Sequence, residues 1–305
     1  MEKIGFIGLG RMGLPMASNM VKKGFSLIVH DINGAAVDTL VDLGADRGAS
    51  VAEVAAQADI IITMLPNSAI VTQVIEGAGG ILSTARPGAL VMDMSTVSPD
   101  TTDSAARACK AKGLGFVDAP VGRLASHADE GKSLFMVGAS DADFQRVKPA
   151  MEAMGTTIYH CGDCGAGTRT KIVNNFLAVS LCQLNAEALT LAQGFGLDLE
   201  STLDVLHGTT ATNGQLKVNW ASKCLIGDTK PGFTIDLAHK DLTLVVDSAN
   251  TAKVPMPMAA AAREAFSQAR ARGFGGTDFS GMLDAACDAN GLTPPRLPHN
   301  SRHRV

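Results

Sequence analysis

The feature that most constrains the fold of this chain lies in its first thirty-one residues. An apolar run, Ile4-Gly5-Phe6-Ile7, enters Gly8-x-Gly10-x-x-Gly13; a helical stretch follows, and Leu27-Ile28-Val29-His30 ends on Asp31. The three glycines do different things. The first permits a tight turn, the second lets backbone approach a pyrophosphate, and the third lets helix pack closely on strand. The free N–H groups and positive dipole end of the helix beginning near Arg11 and Met12 would then receive the ligand's negative charge. At the end of the second strand, the Asp31 carboxylate would accept both hydrogen bonds from an adenosine ribose and repel a 2′-phosphate, which favours NAD(H) over NADP(H). A glycine pattern alone is weak evidence. Here strand, glycines, helix, strand and acid come in order and at the right distances.

A chain of 305 residues exceeds what one core normally supports, so two domains are expected. Hydrophobic residues make up 46% and aromatics only 4%, which predicts a core of Ala, Val, Leu, Ile and Met. The net charge of −4 argues against nucleic acid as a partner. No run approaches the roughly 18 apolar residues of a membrane span, and a strand starting within a few residues of Met1 leaves no room for a signal peptide. The six cysteines do not read as a disulfide framework, which predicts a cytoplasmic setting. Cys161-x-x-Cys164 has no second CxxC beside it and predicts a structural or incidental role with no metal.

Short apolar runs at residues 59–66, 89–96, 115–121, 134–138 and 157–160 alternate with helical stretches, among them 37–43 and one through 112 that Ser98-Pro99-Asp100 would cap. Such runs suit a sheet covered on both faces. The fold class predicted is α/β: an N-terminal Rossmann-type doubly wound sheet over residues 1–165, then an all-α domain over 166–292. Residues 293–305, rich in proline and basic residues, are expected to be disordered. Residues 167–194 read as one long helix, apolar nearly all round, and therefore buried in a core or between the subunits of a homodimer or homotetramer. Further helices are expected near 199–206, 221–225, 237–251 and 258–272.

Beside a cofactor, nicotinamide chemistry needs a substrate anchor, a proton donor or acceptor, and a dry pocket. The long helix supplies Lys171, with Asn174 and Asn175 three and four residues on and so on the same face. A lysine in apolar surroundings gives up its proton more readily, which suits a general acid that protonates a carbonyl oxygen as hydride reaches the carbon.

Gly8-Leu-Gly10-Arg-Met-Gly13, Met64-Leu65-Pro66, Asp93-x-Ser95-Thr96, Asp118-Ala-Pro-Val121, Gly165-x-Gly167-x-x-x-Lys171-x-x-x-Asn175 and Lys240-Asp241-Leu242 occur in one order along the chain. Together they resemble the β-hydroxyacid dehydrogenase family, which includes 3-hydroxyisobutyrate dehydrogenase and tartronate semialdehyde reductase. The resemblance implies Lys171 as catalytic acid/base and Asn175 as its orienter or the substrate's. It puts Leu65 and Pro66 against the cofactor, Ser95 and Thr96 at nicotinamide or substrate, and Lys240 over the cofactor.

One stretch departs from the family. Where most members have Ser-Gly-Gly, this chain has Gly122-Arg123-Leu124. The arginine adds a fixed charge and a five-donor fork, better used by a tetrahedral three-oxygen anion than by a planar carboxylate. In this the chain is similar to the branch that reduces 3-sulfolactaldehyde, which implies Arg123 and the Asn174 region on the sulfonate. A carboxylate substrate of the 3-hydroxyisobutyrate or tartronate semialdehyde kind stays open, as does a non-catalytic NAD-dependent binding module. Against the module stands the presence of Lys171.

Overall fold

In the computed structural model, which describes residues 2–304, the chain divides into two compact units, Met1–Lys171 and Ile172–Val305. The first unit carries strands β1 (Ile4–Ile7), β2 (Leu27–His30), β3 (Asp46–Arg47), β4 (Ile60–Thr63), β5 (Leu90–Asp93), β6 (Gly115–Asp118), β7 (Val121–Gly122), β8 (Ser133–Gly138) and β9 (Gly155–Gly162). They form one sheet in the order β3-β2-β1-β4-β5-β6-β8-β7, with β9 also paired to β8. From β3 to β6 every pairing is parallel. Alternate residues enter two separate cores: Phe6, Ile62, Met92 and Val117 on one face, Ile7, Ile61, Val91 and Phe116 on the other. Burial on both faces is why these strands read as continuous apolar runs. The register aligns Ile7 with His30 and Thr63, Thr63 with Asp93, and Asp93 with Asp118, so the carboxyl ends of five strands lie on one line.

The far edge of the sheet differs from the expectation of one strand over 115–121. Pro120 has no N–H for a ladder, so β6 stops at Asp118. The chain then turns, and β7 pairs antiparallel with β8, which is itself antiparallel to β6. Helices Val51–Gln57 and Ser68–Glu76, capped by Ser50 and Asn67, were not anticipated. The expected helix after Ser98 spans Pro99–Ala111, with the Ser98 side chain accepting from Thr101 N.

Helices Leu199–Gly208, Ile235–Thr251, Pro257–Ala271 and Met282–Ala289 build the second unit around fully buried Trp220 and Phe266. Where a helix over 221–225 was expected, residues Gln215–Trp220 make a π-helical turn and Cys224–Ile226 a 3-10 turn. The long helix spans Ala166–Gly194, and its opening turn belongs to the first unit. It is not apolar all round. Ser180, Gln183, Asn185 and Thr190 are buried, whereas Val173, Leu177, Leu184 and Leu191 are exposed. Residues 293–304, expected to be disordered, pack within the second unit: Leu297 is buried and its N–H donates to Leu225 O at 2.7 Å, and Arg302 and His303 meet Asp204. No helix among the described residues is long and apolar enough to cross a membrane.

Candidate functional site

The glycine turn sits at the carboxyl end of β1. Gly8 has φ +98°, and a Cβ there would collide with the Met64 carbonyl; a Cβ on Gly13 would collide with that of Gly8. Gly10 is exposed and open, with nothing within 4 Å of where its Cβ would stand. The following helix, Gly13–Lys22, starts at Met12 without a side-chain cap and without an acid in its first turn. With no side-chain cap and no acid there, the helix start and the open backbone at Gly10 have the character of an anion site, of the kind a pyrophosphate uses. Asp31 is built into this turn: Oδ2 accepts from Leu9 N at 2.5 Å and Oδ1 from Asn33 N at 2.7 Å. Each oxygen keeps a further lone pair for a ribose hydroxyl.

The side chain of Arg11 pairs with both oxygens of Asp129 at 3.1 and 3.0 Å. Together with Asn19 Nδ2, which donates to Ala128 O at 2.9 Å, the pair ties helix Ala125–Asp129 to helix Gly13–Lys22.

Further along the line of strand ends, one carboxylate organises several predicted residues. Asp93, 2% exposed, accepts at Oδ1 from Thr63 Oγ1 (2.7 Å), Ser95 Oγ (2.6 Å) and Ser95 N (3.1 Å). Ser95 Oγ in turn accepts from Leu65 N at 2.9 Å. The Leu65-Pro66 and Ser95-Thr96 loops are therefore tied together through one buried acid. Burial raises the pKa of Asp93 above the usual carboxylate range, opposed by these hydrogen bonds.

Gly122 is buried in β7, and Arg123 follows at φ +70°, a left-handed conformation unusual for a side chain of this size. Its exposed guanidinium lies along the rim of β8 and β9: Nη1 donates to Lys132 O (2.7 Å) and Thr156 Oγ1 (3.2 Å), and Nη2 to Thr157 Oγ1 (3.0 Å). Lys171 belongs to the first unit, on the second turn of the long helix.

In the second unit, Asn174 Nδ2 donates to Asn175 Oδ1 at 3.1 Å, and Asn175 Nδ2 donates to Asp241 Oδ2 at 2.7 Å. Lys240 Nζ lies 3.1 Å from Asp241 Oδ1. Buried Asp241 thus joins the predicted Asn174, Asn175 and Lys240 into one chain of polar contacts. No role was read for Asp241, Asp93 or Asp118 in the sequence. The available signal was an acid ending an apolar strand or interrupting an apolar helix face. Cys161 and Cys164 are free thiols.

Two family models match the chain. Residues 3–162 match the NAD binding domain of 6-phosphogluconate dehydrogenase, and residues 165–286 match the model described as NAD-binding of NADP-dependent 3-hydroxyisobutyrate dehydrogenase. The 3-sulfolactaldehyde reductase of Escherichia coli (strain K12) is 43% identical over 293 residues, covering 96% of this chain and 98% of that protein. The 2-(hydroxymethyl)glutarate dehydrogenase of Eubacterium barkeri is 40% identical over 92% of this chain and 93% of its own length. Among solved structures, Mycobacterium tuberculosis 3-hydroxyisobutyrate dehydrogenase with L-serine superposes with a TM-score of 0.86 at 31% identity, covering 93% of this chain and 98% of that one.

Proposed function

The chain belongs to the β-hydroxyacid dehydrogenase family, NAD(H)-dependent oxidoreductases acting on CH–OH groups, and we propose that it reduces 3-sulfolactaldehyde to 2,3-dihydroxypropane-1-sulfonate with NADH. The observation that carries this reading is Arg123. Its fixed positive charge stands where most of the family has glycine. The three bonds to Lys132, Thr156 and Thr157 orient the guanidinium and engage three of its five N–H donors. The remaining two suit a sulfonate, whose three oxygens accept from several directions. The name of the 43% identical relative points the same way.

When bound at the Gly8–Gly13 turn, NADH supplies the hydride to the aldehyde carbon. Lys171 holds the proton and passes it to the carbonyl oxygen as charge develops there, and in the reverse direction it takes that proton from the alcohol. Asn175, its amide fixed by Asp241 and by Asn174, orients Lys171 or the substrate. Ser95, Gly122, Arg123 and Asn174 bind the substrate. Leu65, Pro66, Thr96 and Lys240 contact the cofactor together with Gly8, Gly10, Arg11, Met12, Gly13 and Asp31, and the Asp31 charge favours NADH over NADPH. The protein works in the cytoplasm, where six free thiols persist, as a homodimer or homotetramer joined through the exposed apolar stripe of the long helix.

Steady-state kinetics with 3-sulfolactaldehyde, 3-hydroxyisobutyrate and tartronate semialdehyde tests the substrate. The sulfonated aldehyde is expected to give the highest kcat/KM, and Arg123→Gly to raise its KM by about tenfold to a hundredfold, as loss of a charge-assisted bond should. A higher kcat/KM for either carboxylate substrate in the wild type would refute the sulfonate reading.

A further inference from the structure

The acid that ends β6 has no part in the chemistry described so far, yet it is among the most tightly held groups in the first unit. Asp118 is 1% exposed. Its Oδ1 accepts from Gly165 N and its Oδ2 from Thr168 N, both at 2.6 Å. These N–H groups belong to the start of the long helix, where no partner exists within the helix itself. A strand-end carboxylate thus does what an N-cap residue does elsewhere, with both oxygens.

The same turn is fixed from two further directions. Gly138 and Gly167 permit close approach: a Cβ on Gly138 would stand 2.8 Å from Ala166 N and Gly167 N, and one on Gly167 would stand 2.7 Å from Asp118 O. From helix Pro99–Ala111, Thr102 Oγ1 meets Thr168 Oγ1 at 3.0 Å, and Asp103 takes the Arg169 guanidinium on both oxygens at 3.0 and 2.9 Å. That helix begins three residues after Thr96. Lys171 follows Thr168 by three residues, so its backbone is set by this turn.

We propose that Asp118 is a positioning residue for Lys171, its ionised carboxylate locking the opening turn of the lysine's helix onto the strand ends that carry Ser95 and the cofactor loop. The inference rests on Lys171 being the acid/base. The anchor is also pH-sensitive. A protonated carboxyl must turn one oxygen into a donor facing an N–H, and that bond is lost. Burial holds the pKa of Asp118 at about 6, against the lowering effect of the Gly165 and Thr168 bonds. The charged and titratable groups facing it are Asp93 on the neighbouring strand, the Asp103–Arg169 pair, and Cys164, whose thiol burial pushes up to about 12.

The test compares Asp118→Asn and Lys171→Ala in the full-length enzyme, with whichever of the three substrates gives turnover, measuring kcat across pH 5–8 and NADH affinity by fluorescence titration. Asp118→Asn is expected to lower kcat by about tenfold or more, since small misplacements of reacting groups carry such penalties. It should leave NADH affinity within about twofold and remove the acidic limb of kcat near pH 6, because an amide does not titrate. An unchanged kcat and acidic limb in Asp118→Asn, with Lys171→Ala inactive, overturns the positioning role and leaves the lysine reading intact. Wild-type turnover in Lys171→Ala overturns the lysine reading itself. Should Asp118→Asn fail to fold, Arg169→Gln loosens the same turn from the solvent side; a kcat loss with unchanged NADH affinity supports the inference, and an unchanged kcat overturns it.

Discussion

At the scale of single residues, Asp31 joins cofactor choice to loop geometry. One carboxylate oxygen holds the Leu9 N–H of the glycine turn and the other holds Asn33 N–H beyond β2. Asp31→Asn keeps an acceptor for one of these bonds but removes the charge that would repel a 2′-phosphate. The expected outcome is a fall of about tenfold or more in the NADH-to-NADPH ratio of kcat/KM, mostly through weaker discrimination against NADPH, since opposed charges dominate rejection of the wrong partner. Parallel kinetics with the two cofactors checks it, and an unchanged ratio would show that the acid serves the loop alone. Arg123 is a residue of another kind. Its chemistry was readable from the sequence, but its placement was not. A left-handed backbone at φ +70° and partners at Lys132, Thr156 and Thr157 depend on a strand edge that no local pattern announces.

At the scale of elements, the ends of β5 and β6 place two buried acids, Asp93 and Asp118, directly opposite each other in register. Burial raises the pKa of both. For Asp118 the folded value of about 6 lies above the ordinary 3.8, so across that window the folded state binds more protons than the unfolded chain. Stability from this group is therefore greatest at low pH and declines as pH rises through about 6. Catalysis, under the positioning role, moves in the opposite direction. Thermal unfolding of Asp118→Asn between pH 4 and 7 should show a flatter pH dependence than the wild type; parallel curves would contradict the assignment. The strands themselves were legible because burial on both faces leaves a continuous apolar run, and the glycine turn was legible because its strand, helix and acid lie within thirty-one residues. The cap at Asp118 was not, since its partners Gly165 and Thr168 are 47 and 50 residues away. The antiparallel edge escaped for a similar reason: Pro120 marks where β6 must stop but not where the chain turns next.

At the scale of the whole molecule, the long helix buries Ile172, Val179, Cys182, Ala186 and Leu189 but leaves a second line of large apolar side chains uncovered. Ser180, Gln183, Asn185 and Thr190 face inward, while Val173, Leu177, Leu184 and Leu191 are 65%, 56%, 44% and 57% exposed. Steps of four, seven and seven residues put the four on one stripe, and Phe195 extends it past the helix end at 69% exposure. Contiguous apolar surface of this kind marks an interaction site. A second copy of the chain is the simplest cover, because two-fold pairing would set one stripe against its equal. A leucine removed from water contributes about 1.5–3 kcal/mol, so Leu177→Asp with Leu184→Asp should weaken association by about a hundredfold or more. In analytical ultracentrifugation the wild type is expected as a dimer or tetramer, and the double variant as a monomer with unchanged circular dichroism. A monomeric wild type, or an assembly that survives both aspartates, would remove the stripe from the interface.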